Sequence, residues 1–438
     1  MADMFHLAWF LHGSSAVSWG RPFTGSIGRD WMSPDLVVDM ARSMERAGFD
    51  YLLIEDSSYV PDAYGGSMDV YLRAGHSSPR QDPTVVSALV SQRTERLGIV
   101  PTIGTFATPP YLLARAIGTL DQLSNGRIGW NVVTGSSDRA AQNYGMPGMP
   151  EHDERYEIAD EYLRAAMALF GSWEPGSVVD DPAAGIFADH TRVHRVDHRG
   201  EHFAVRGPLN SGPLPQGRPV IAQAGGSPRG REFGARHADT VLCMAKTVPE
   251  MKAFRDDVRR HAAAFGRDPD DIKVLFIIDP VIGGTEEEAR ERVRQRELAA
   301  LADAEITLAM QSKVTNIDFG AYDLDRPIEL SGLRTNGHQQ VLEQFVAVAG
   351  EGRTLREVAV ELARAATTRL AGTPDSVAAR MAETMAEVGG DGFLFSSNDV
   401  SRRTVAEITD GLVPALQQRG LVRTGYEHAM FRDNLLAF

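Results

Sequence analysis

Four stretches of the chain gather residue types that can hold a cofactor or move a proton. The first is Ala224-Gly225-Gly226-Ser227-Pro228-Arg229-Gly230, running into the helical segment Arg231 to Asp239. A glycine pair, a serine and a proline entering a helix put backbone N–H groups, a hydroxyl and the positive helix end at one point, which suits a phosphate. A favourable charge at such a terminus is worth roughly 0.3 to 1 kcal/mol. The same residues also make an ordinary tight turn with a capped helix, in which case Arg229 belongs to solvent. The second stretch holds His152, Arg155 and Tyr156. His152 and Tyr156 lie four apart on one helix face, so they either reach one ligand or pack together at a rim. The third, Trp130 to Gly135, ends an apolar run with Asn131 and Thr134, an amide and a hydroxyl that suit either the polar edge of a heterocycle or loop backbone.

The fourth set is aromatic and ionisable. Phe10, His12, Trp19, Trp31 and Tyr59 surround the first two expected strand ends, and Phe276 lies further along, so they form either an aromatic-walled pocket or core. His12 is the candidate proton donor or acceptor, because an unperturbed imidazole titrates in the useful range. Glu55-Asp56 admits the acid and base of a hydrolase, although adjacent strand residues point to opposite faces. His190, His194, His198 and His202 recur every four residues, but Gly200 interrupts the run, and a solvated insertion suits it better than a metal site.

These residues need a scaffold, and the rest of the sequence describes one. Short apolar runs bounded by turn residues alternate with longer segments of helical period, the order of a parallel βα architecture. The expected strands are 5–11, 51–54, 97–103, 127–133, 219–223, 240–245, 273–282 and 392–396. Ser33-Pro34, Asp82-Pro83 and Thr373-Pro374 open helices between them, and Gly48 and Gly389-Gly390 close helices. Eight strands fit an α/β fold, the (β/α)8 TIM barrel, whose chemistry sits at the C-terminal strand ends. His12, Glu55-Asp56, Thr102 to Thr105, Asn131 to Ser137 and the Gly-Gly-Ser turn then follow strands one to five in order. The runner-up, an open doubly wound sheet, would carry a glycine fingerprint after its first strand, and Leu11-His12-Gly13-Ser14-Ser15 is not one.

The length of 438 residues accommodates one barrel domain with insertions at about 171–217 and 283–369 and a C-terminal extension over about 400–438. The final GLVRTGYEHAMFRDNLLAF is expected either to make a subunit contact or to close the barrel bottom. With 45 Lys+Arg against 59 Asp+Glu, the net charge of −14 argues against a nucleic-acid partner. The single cysteine, Cys243, excludes an internal disulfide and a cysteine-rich metal site. Met1 to Leu11 is not a signal peptide and no apolar run is long enough to span a bilayer, so a cytoplasmic location is expected.

Four blocks, in order, carry a family resemblance over nearly the whole chain. They are Ala114-Arg115 through TLDQLSNGRIGWNVVTG, EHDERYEIADEYL from Glu151, AGIFAD with VDHRGEHFAVRGPL, and QAGGSPRGREFGARHAD from Gln223 to Asp239. Together they resemble the nitrilotriacetate and dibenzothiophene-sulfone monooxygenase branch of the bacterial luciferase-like superfamily. The resemblance implies a TIM barrel that takes reduced FMN (FMNH2) as a diffusible cosubstrate from a separate NAD(P)H:flavin reductase. It also implies that O2 reacts at the flavin C4a to give a (hydro)peroxyflavin, with one oxygen atom entering a small heteroatom-containing or aromatic substrate. A two-component system of this kind needs no dinucleotide fingerprint in this chain.

Carried over residue by residue, the resemblance places the phosphate at Gly226 and Ser227, with Tyr156 and Arg155 donating to it and His152 beside them. Asp56, Thr102 and Asn131 address the isoalloxazine, and Thr134, Gly135 and Ser136 line its edge. Phe10, Trp19, Tyr59 and Phe276 fall to the substrate, and His12 to proton handling. The chain departs from the pattern where Lys313-Val314-Thr315-Asn316 precedes AYDLDRPI, a loop in which some sulfone-oxidising relatives carry a histidine; this puts dibenzothiophene-sulfone activity in question. The superfamily also admits a deazaflavin-dependent reductase or dehydrogenase, or a non-catalytic flavin-binding barrel. It further implies a homodimer or homotetramer.

Overall fold

A computed structural model describes residues 4–12, 33–75, 77–302, 304–350, 352–367, 370–397 and 400–438. Its centre is built from eight parallel strands: β1 (His6–Leu11), β2 (Tyr51–Ile54), β3 (Gly98–Gly104), β4 (Gly129–Val133), β5 (Val220–Gln223), β6 (Thr240–Cys243), β7 (Lys273–Ile278) and β8 (Gly392–Phe395). Each pairs with its neighbours in sequence, and β8 returns to β1, so the sheet closes into a barrel. These are the eight strands expected from the alternation of runs and turns. The expected 273–282 strand stops at Ile278 because Pro280 cannot donate to a ladder. Val281–Ile282 leaves the barrel and pairs with Ala371–Gly372.

Period-two alternation sorts the strand side chains into two cores. Ala8, Leu53, Val100, Ala222, Leu275 and Leu394 fill the barrel, with Phe10 and Ile277 partly buried above them. Trp9, Ile99, Trp130, Ile221 and Phe393 point outward into the larger core beneath the helices. Phe276 belongs to that outer core and is fully buried, so the expectation that it lines a substrate pocket is wrong. Strand parity gives the inward position to Ile277 instead. Cys243 is also outward and buried, and burial pushes its thiol up to about 12, which leaves it an inert packing residue.

The last residues close the barrel floor. Phe431 and Leu435 enter the inner core from below, and a Cβ at Gly98 would sit 2.6 Å from the Phe431 ring, so only glycine admits the plug there. Of the two roles expected for this segment, the structure shows the floor.

Residues near 171–217 form two small antiparallel pairs, Val178–Asp181 with Ile186–Ala188 and His198–Arg199 with Ala204–Val205. Their histidines go to separate carboxylates, His194 to Glu174 and His198 to Glu161. Among the described residues, no cluster of His, Cys, Asp and Glu is arranged to hold a metal ion. The excursion between β7 and β8 is helical, as expected, and stacks Phe319 on Phe345 (4.3 Å) in a core of its own. Its helix Ala304–Thr315 leans on the barrel mouth, where Tyr71 donates to the Ala309 carbonyl at 2.7 Å. Trp19 and Trp31 lie outside the described residues. Among the described residues, no helix is long and apolar enough to cross a membrane.

Candidate active site

The inward parity that fills the barrel with apolar side chains delivers a polar layer one step higher, at the C-terminal strand ends. Thr102 and Asn131 are register partners on β3 and β4, both buried, and the Asn131 amide donates to the Thr102 hydroxyl at 2.9 Å. The Asn131 carbonyl oxygen is buried without a partner. An orphaned buried acceptor costs about 1 to 3 kcal/mol unless something fills it. A ring N–H, such as an isoalloxazine carries, would satisfy it.

On the next strand round, Ser227 after β5 caps the helix Pro228–His237, accepting from the Gly230 N–H at 3.1 Å. Tyr156, near the start of helix His152–Phe170, reaches this turn from the side. A Cβ on Gly225 would stand 2.7 Å from the Tyr156 hydroxyl, so the glycine is what lets the phenol seat against the turn. Burial raises the Tyr156 pKa and keeps it a neutral donor. The His152 ring packs edge-on against Tyr156 at 5.3 Å. From above, the Gln340 side chain sits directly over Gly226, bringing a second helix start, that of Gln339–Ala349, to the same point. A hydroxyl, a phenol and two helix N-termini fit a phosphate.

Two arginines here have structural partners. Arg155 donates to the Pro150 carbonyl (2.8 Å) and to the side chain and backbone of Asn336 (both 3.0 Å), fastening the excursion to the barrel. Arg229, which the sequence left between turn and solvent, pairs with Asp160 at 2.5 Å, and His237 shares that carboxylate at 2.6 Å.

Across the mouth, His12 lies between two partners. Its Nδ1 is 3.3 Å from Glu55 and its Nε2 is 2.6 Å from the Ser396 hydroxyl. A carboxylate only accepts, so Nδ1 carries a proton, and Nε2 shares a hydrogen bond with the Ser396 hydroxyl. The second Glu55 oxygen meets the buried Arg80 guanidinium at 3.4 Å. Burial works against the Glu55 carboxylate, but Arg80 and His12 outweigh it and hold the pKa below the ordinary range. Glu55 is half-buried and His338 is exposed, so both keep accessible surface at the mouth, which leaves a hollow over the barrel. Burial, Lys313, Arg155 and His152 together push the His338 imidazole down to about 4.

Other expected site residues frame this hollow. Phe10 packs edge-on against His12 at 4.8 Å. Tyr59 donates to the Lys313 carbonyl at 3.4 Å. The Thr134-Gly135-Ser136 turn is half-buried, and Asn316 of the excursion donates to the Ser136 carbonyl at 2.7 Å. Asp56, one residue out of phase with Glu55, accepts from Ser58 at 3.2 Å, and burial raises its pKa. Sequence reasoning missed Glu55 as a partner of His12, and it missed Arg80, Ser396, Gln340 and His338. Glu55 was within reach, since it shares the parity of Tyr51 and Leu53; Arg80, Ser396 and His338 come from loops and Gln340 from a helix start, and no periodicity encodes where these land.

A closed parallel barrel with a polar mouth, an orphaned amide oxygen and a turn after β5 that could hold an anion has the layout of a TIM-barrel enzyme. Residues 10–392 match the luciferase-like monooxygenase family, and the chain belongs to it as a flavin-dependent monooxygenase by class. It is 37% identical over 437 residues to dibenzothiophene-sulfone monooxygenase of Rhodococcus erythropolis (strain XP), covering 98% of this chain and 96% of that protein. A crystal structure of riboflavin lyase with modified FMN and riboflavin superposes with a TM-score of 0.89 at 31% identity, covering 100% of this chain and 96% of the other. The structure of DmoA from Hyphomicrobium sulfonivorans gives a TM-score of 0.87 at 32% identity, covering 100% and 93%.

Proposed function

We propose that the protein is the oxygenating component of a two-component system, binding reduced FMN and using O2 to oxygenate a small heteroatom-containing or aromatic substrate. The observation that carries this reading is the unpartnered Asn131 oxygen in the mouth, together with the Ser227–Tyr156–Gln340 turn on the same side. Reduced flavin, when bound, supplies the electrons that activate O2. The chain's own residues bind it, orient it and exclude water. Gly226 and Ser227 hold the phosphate end with Tyr156 and His152, while Thr102, Asn131 and the 134–136 turn face the ring. Glu55 fixes the His12 tautomer so that Nε2 and the Ser396 hydroxyl can pass a proton at the mouth.

A separate NAD(P)H:flavin reductase completes the proposal, since no β1 turn carries a dinucleotide fingerprint. One curated relative, of Aminobacter aminovorans, is named component A of nitrilotriacetate monooxygenase, which fits a divided system. A homodimer or homotetramer is the assembly we expect.

The test is coupled turnover with a flavin reductase against sulfones, chelators, haloaromatics and amines. A substrate should suppress hydrogen peroxide release while oxygen uptake continues; uptake that requires a reduced deazaflavin and not reduced FMN would defeat the proposal. Ser227→Ala with Tyr156→Phe should weaken reduced-FMN binding by about tenfold or more, since hydrogen bonds to charged groups are worth about 1.5 to 3 kcal/mol. Unchanged affinity in a fluorescence titration would remove the phosphate assignment. His12→Phe should lower the coupled rate by about a hundredfold, the low end for a lost proton-transfer group.

A further inference from the structure

The trio at the mouth has an arrangement that passing a proton to and from a flavin does not require. Ser396 Oγ lies 2.6 Å from His12 Nε2, and His12 Nδ1 lies 3.3 Å from a Glu55 oxygen. Hydroxyl, imidazole and carboxylate thus engage in order through the two ring nitrogens, the relation that makes a serine nucleophilic on unrelated folds. Rigid backbone sets that order. Ser396, His12 and Glu55 directly follow β8, β1 and β2, which are neighbours in the barrel. Ladder bonds hold the outer two: the Ser396 N–H donates to the Ile278 carbonyl at 2.8 Å, and the Glu55 N–H to the Leu11 carbonyl at 3.1 Å.

Each member can take the state that the chemistry needs. With a proton on Nδ1, the neutral ring keeps its Nε2 lone pair for the serine proton. Burial opposes the Glu55 charge, but Arg80 and His12 outweigh it and keep the carboxylate ionised. Asp279, after β7, acts on His12 through its field and is itself paired with Arg296 at 3.2 Å. Ser396, His12 and Glu55 are all half-buried, so each keeps accessible surface at the mouth.

We propose that Ser396 is an activated nucleophile and that the flavin-free mouth transfers the acyl group of an aryl ester to water, an activity separate from oxygenation. In the first step Ser396 Oγ bonds to the acyl carbon while Nε2 takes its proton; the bond to the aryl oxygen breaks, and the aryloxide leaves with that proton. In the second, water attacks the acyl-serine, Nε2 takes a water proton and returns it to Oγ, and the carboxylic acid departs. Nothing is oxidised or reduced, and water is the one co-reactant. An aryl ester suits the mouth because aryloxide leaves readily and Phe10, edge-on to His12 at 4.8 Å, offers its ring a packing surface.

Full-length flavin-free protein can be treated with phenylmethylsulfonyl fluoride or with p-nitrophenyl acetate at mildly alkaline pH, where a free imidazole is neutral. Peptide mass spectrometry then locates the modified residue. Ser396 should take one sulfonyl group per chain as fluoride leaves, and the ester should give a nitrophenolate burst of about one equivalent. His12→Phe should slow both reactions by about a hundredfold or more, the low end for a lost general base. Glu55→Gln should slow them by about tenfold or more, and Ser396→Ala should abolish the burst. Modification elsewhere with Ser396 untouched would overturn the proposal. So would a Ser396 label that forms as fast in His12→Phe, which marks an accessible hydroxyl and not an activated one. The first of these outcomes is read on the unaltered protein, so it decides even where a variant fails to fold. No flavin enters the assay, so the result stands apart from the monooxygenase reading.

Discussion

Both ends of the barrel hold a histidine, a carboxylate and an arginine, and they put the trio to different use. At the floor, Asp50 accepts from His6 (3.0 Å) and Arg423 (2.6 Å) through one oxygen and from the Leu7 N–H (3.0 Å) through the other. At the mouth, Glu55 meets His12 and Arg80. His6 and His12 share the inward side of β1, and Asp50 and Glu55 flank β2. What differs is the lid. The floor side chains of His6, Asp50 and Arg423 are 1%, 1% and 7% exposed, with the Phe438 ring stacked on His6 at 4.3 Å. His12 and Glu55 are 31% and 22% exposed, and the free nitrogen of His12 faces a hydroxyl rather than a ring. The same three groups are sealed by aromatic residues at the floor and left partly open at the mouth, where the proposed proton handling needs access.

The largest effects should fall on the floor. Asp50→Asn strands the buried Arg423 guanidinium, takes a carboxylate from His6, and should cost about 3 to 5 kcal/mol in urea unfolding. Phe431→Ala, which empties the plug, should cost a similar amount of about 3 to 5 kcal/mol. Reduced-FMN affinity of the folded fraction should stay unchanged in both. Glu55→Gln reverses this profile. Glu55 is 22% exposed and Arg80 keeps the field of Asp56, so the stability loss should be about 1 to 2 kcal/mol, whereas coupling and its pH dependence should suffer heavily. Equal stability losses from Asp50→Asn and Glu55→Gln would erase the distinction between the ends.

Acid should separate the ends next. Burial raises the Asp50 pKa, but His6 and Arg423 overcome it and leave it below the ordinary value. A carboxylate with a depressed folded pKa contributes stability that is complete above its unfolded pKa, about 4, and is lost as pH falls through the folded value. Stability should therefore drop below about pH 4, and Asp50→Asn should flatten that part of the profile by removing the group that takes up the proton. A denaturation midpoint followed against pH measures it.

How far these ends were legible in the sequence follows from what sequence periodicity encodes. The eight strands and the Gly-Gly-Ser turn could be read because alternation, proline-started helices and glycine stops are local. The phase of a strand is equally local, and it turns Phe276 outward under the helices although its aromatic type suits a pocket. Glu55 was dismissed with Asp56 as a poor pair, which was sound, but its proper partner, His12, lies 43 residues away on a neighbouring strand. The excursion's contributions, Lys313, Gln340 and His338, depend on where four helices dock over the mouth, and that is a tertiary result with no signature in their own spacing. The closing role of the last segment was one of two open readings until Phe431 could be placed against Gly98.

The smallest effect bears on the mouth alone. His338 sits among Lys313, Arg155 and His152, all on one side of the charge balance, with Glu55 as the opposing carboxylate. Burial disfavours its charged form and the cations disfavour it further, so the imidazole should titrate near 4, where a free histidine titrates near 6.5. Between those values the folded ring stays neutral and keeps one N–H donor and one acceptor. Removing the positive charge at Lys313 makes protonation easier, so Lys313→Met should move the midpoint upward, by about one unit or less, with burial retaining the rest of the shift. Nitrogen-15 NMR titration of the labelled ring reads both values. A midpoint near 6.5 in the unaltered protein would mean that water in the hollow screens the cations as it does at an open surface. The mouth would then lack the low-dielectric character that sets it apart from solvent while leaving it less sealed than the floor.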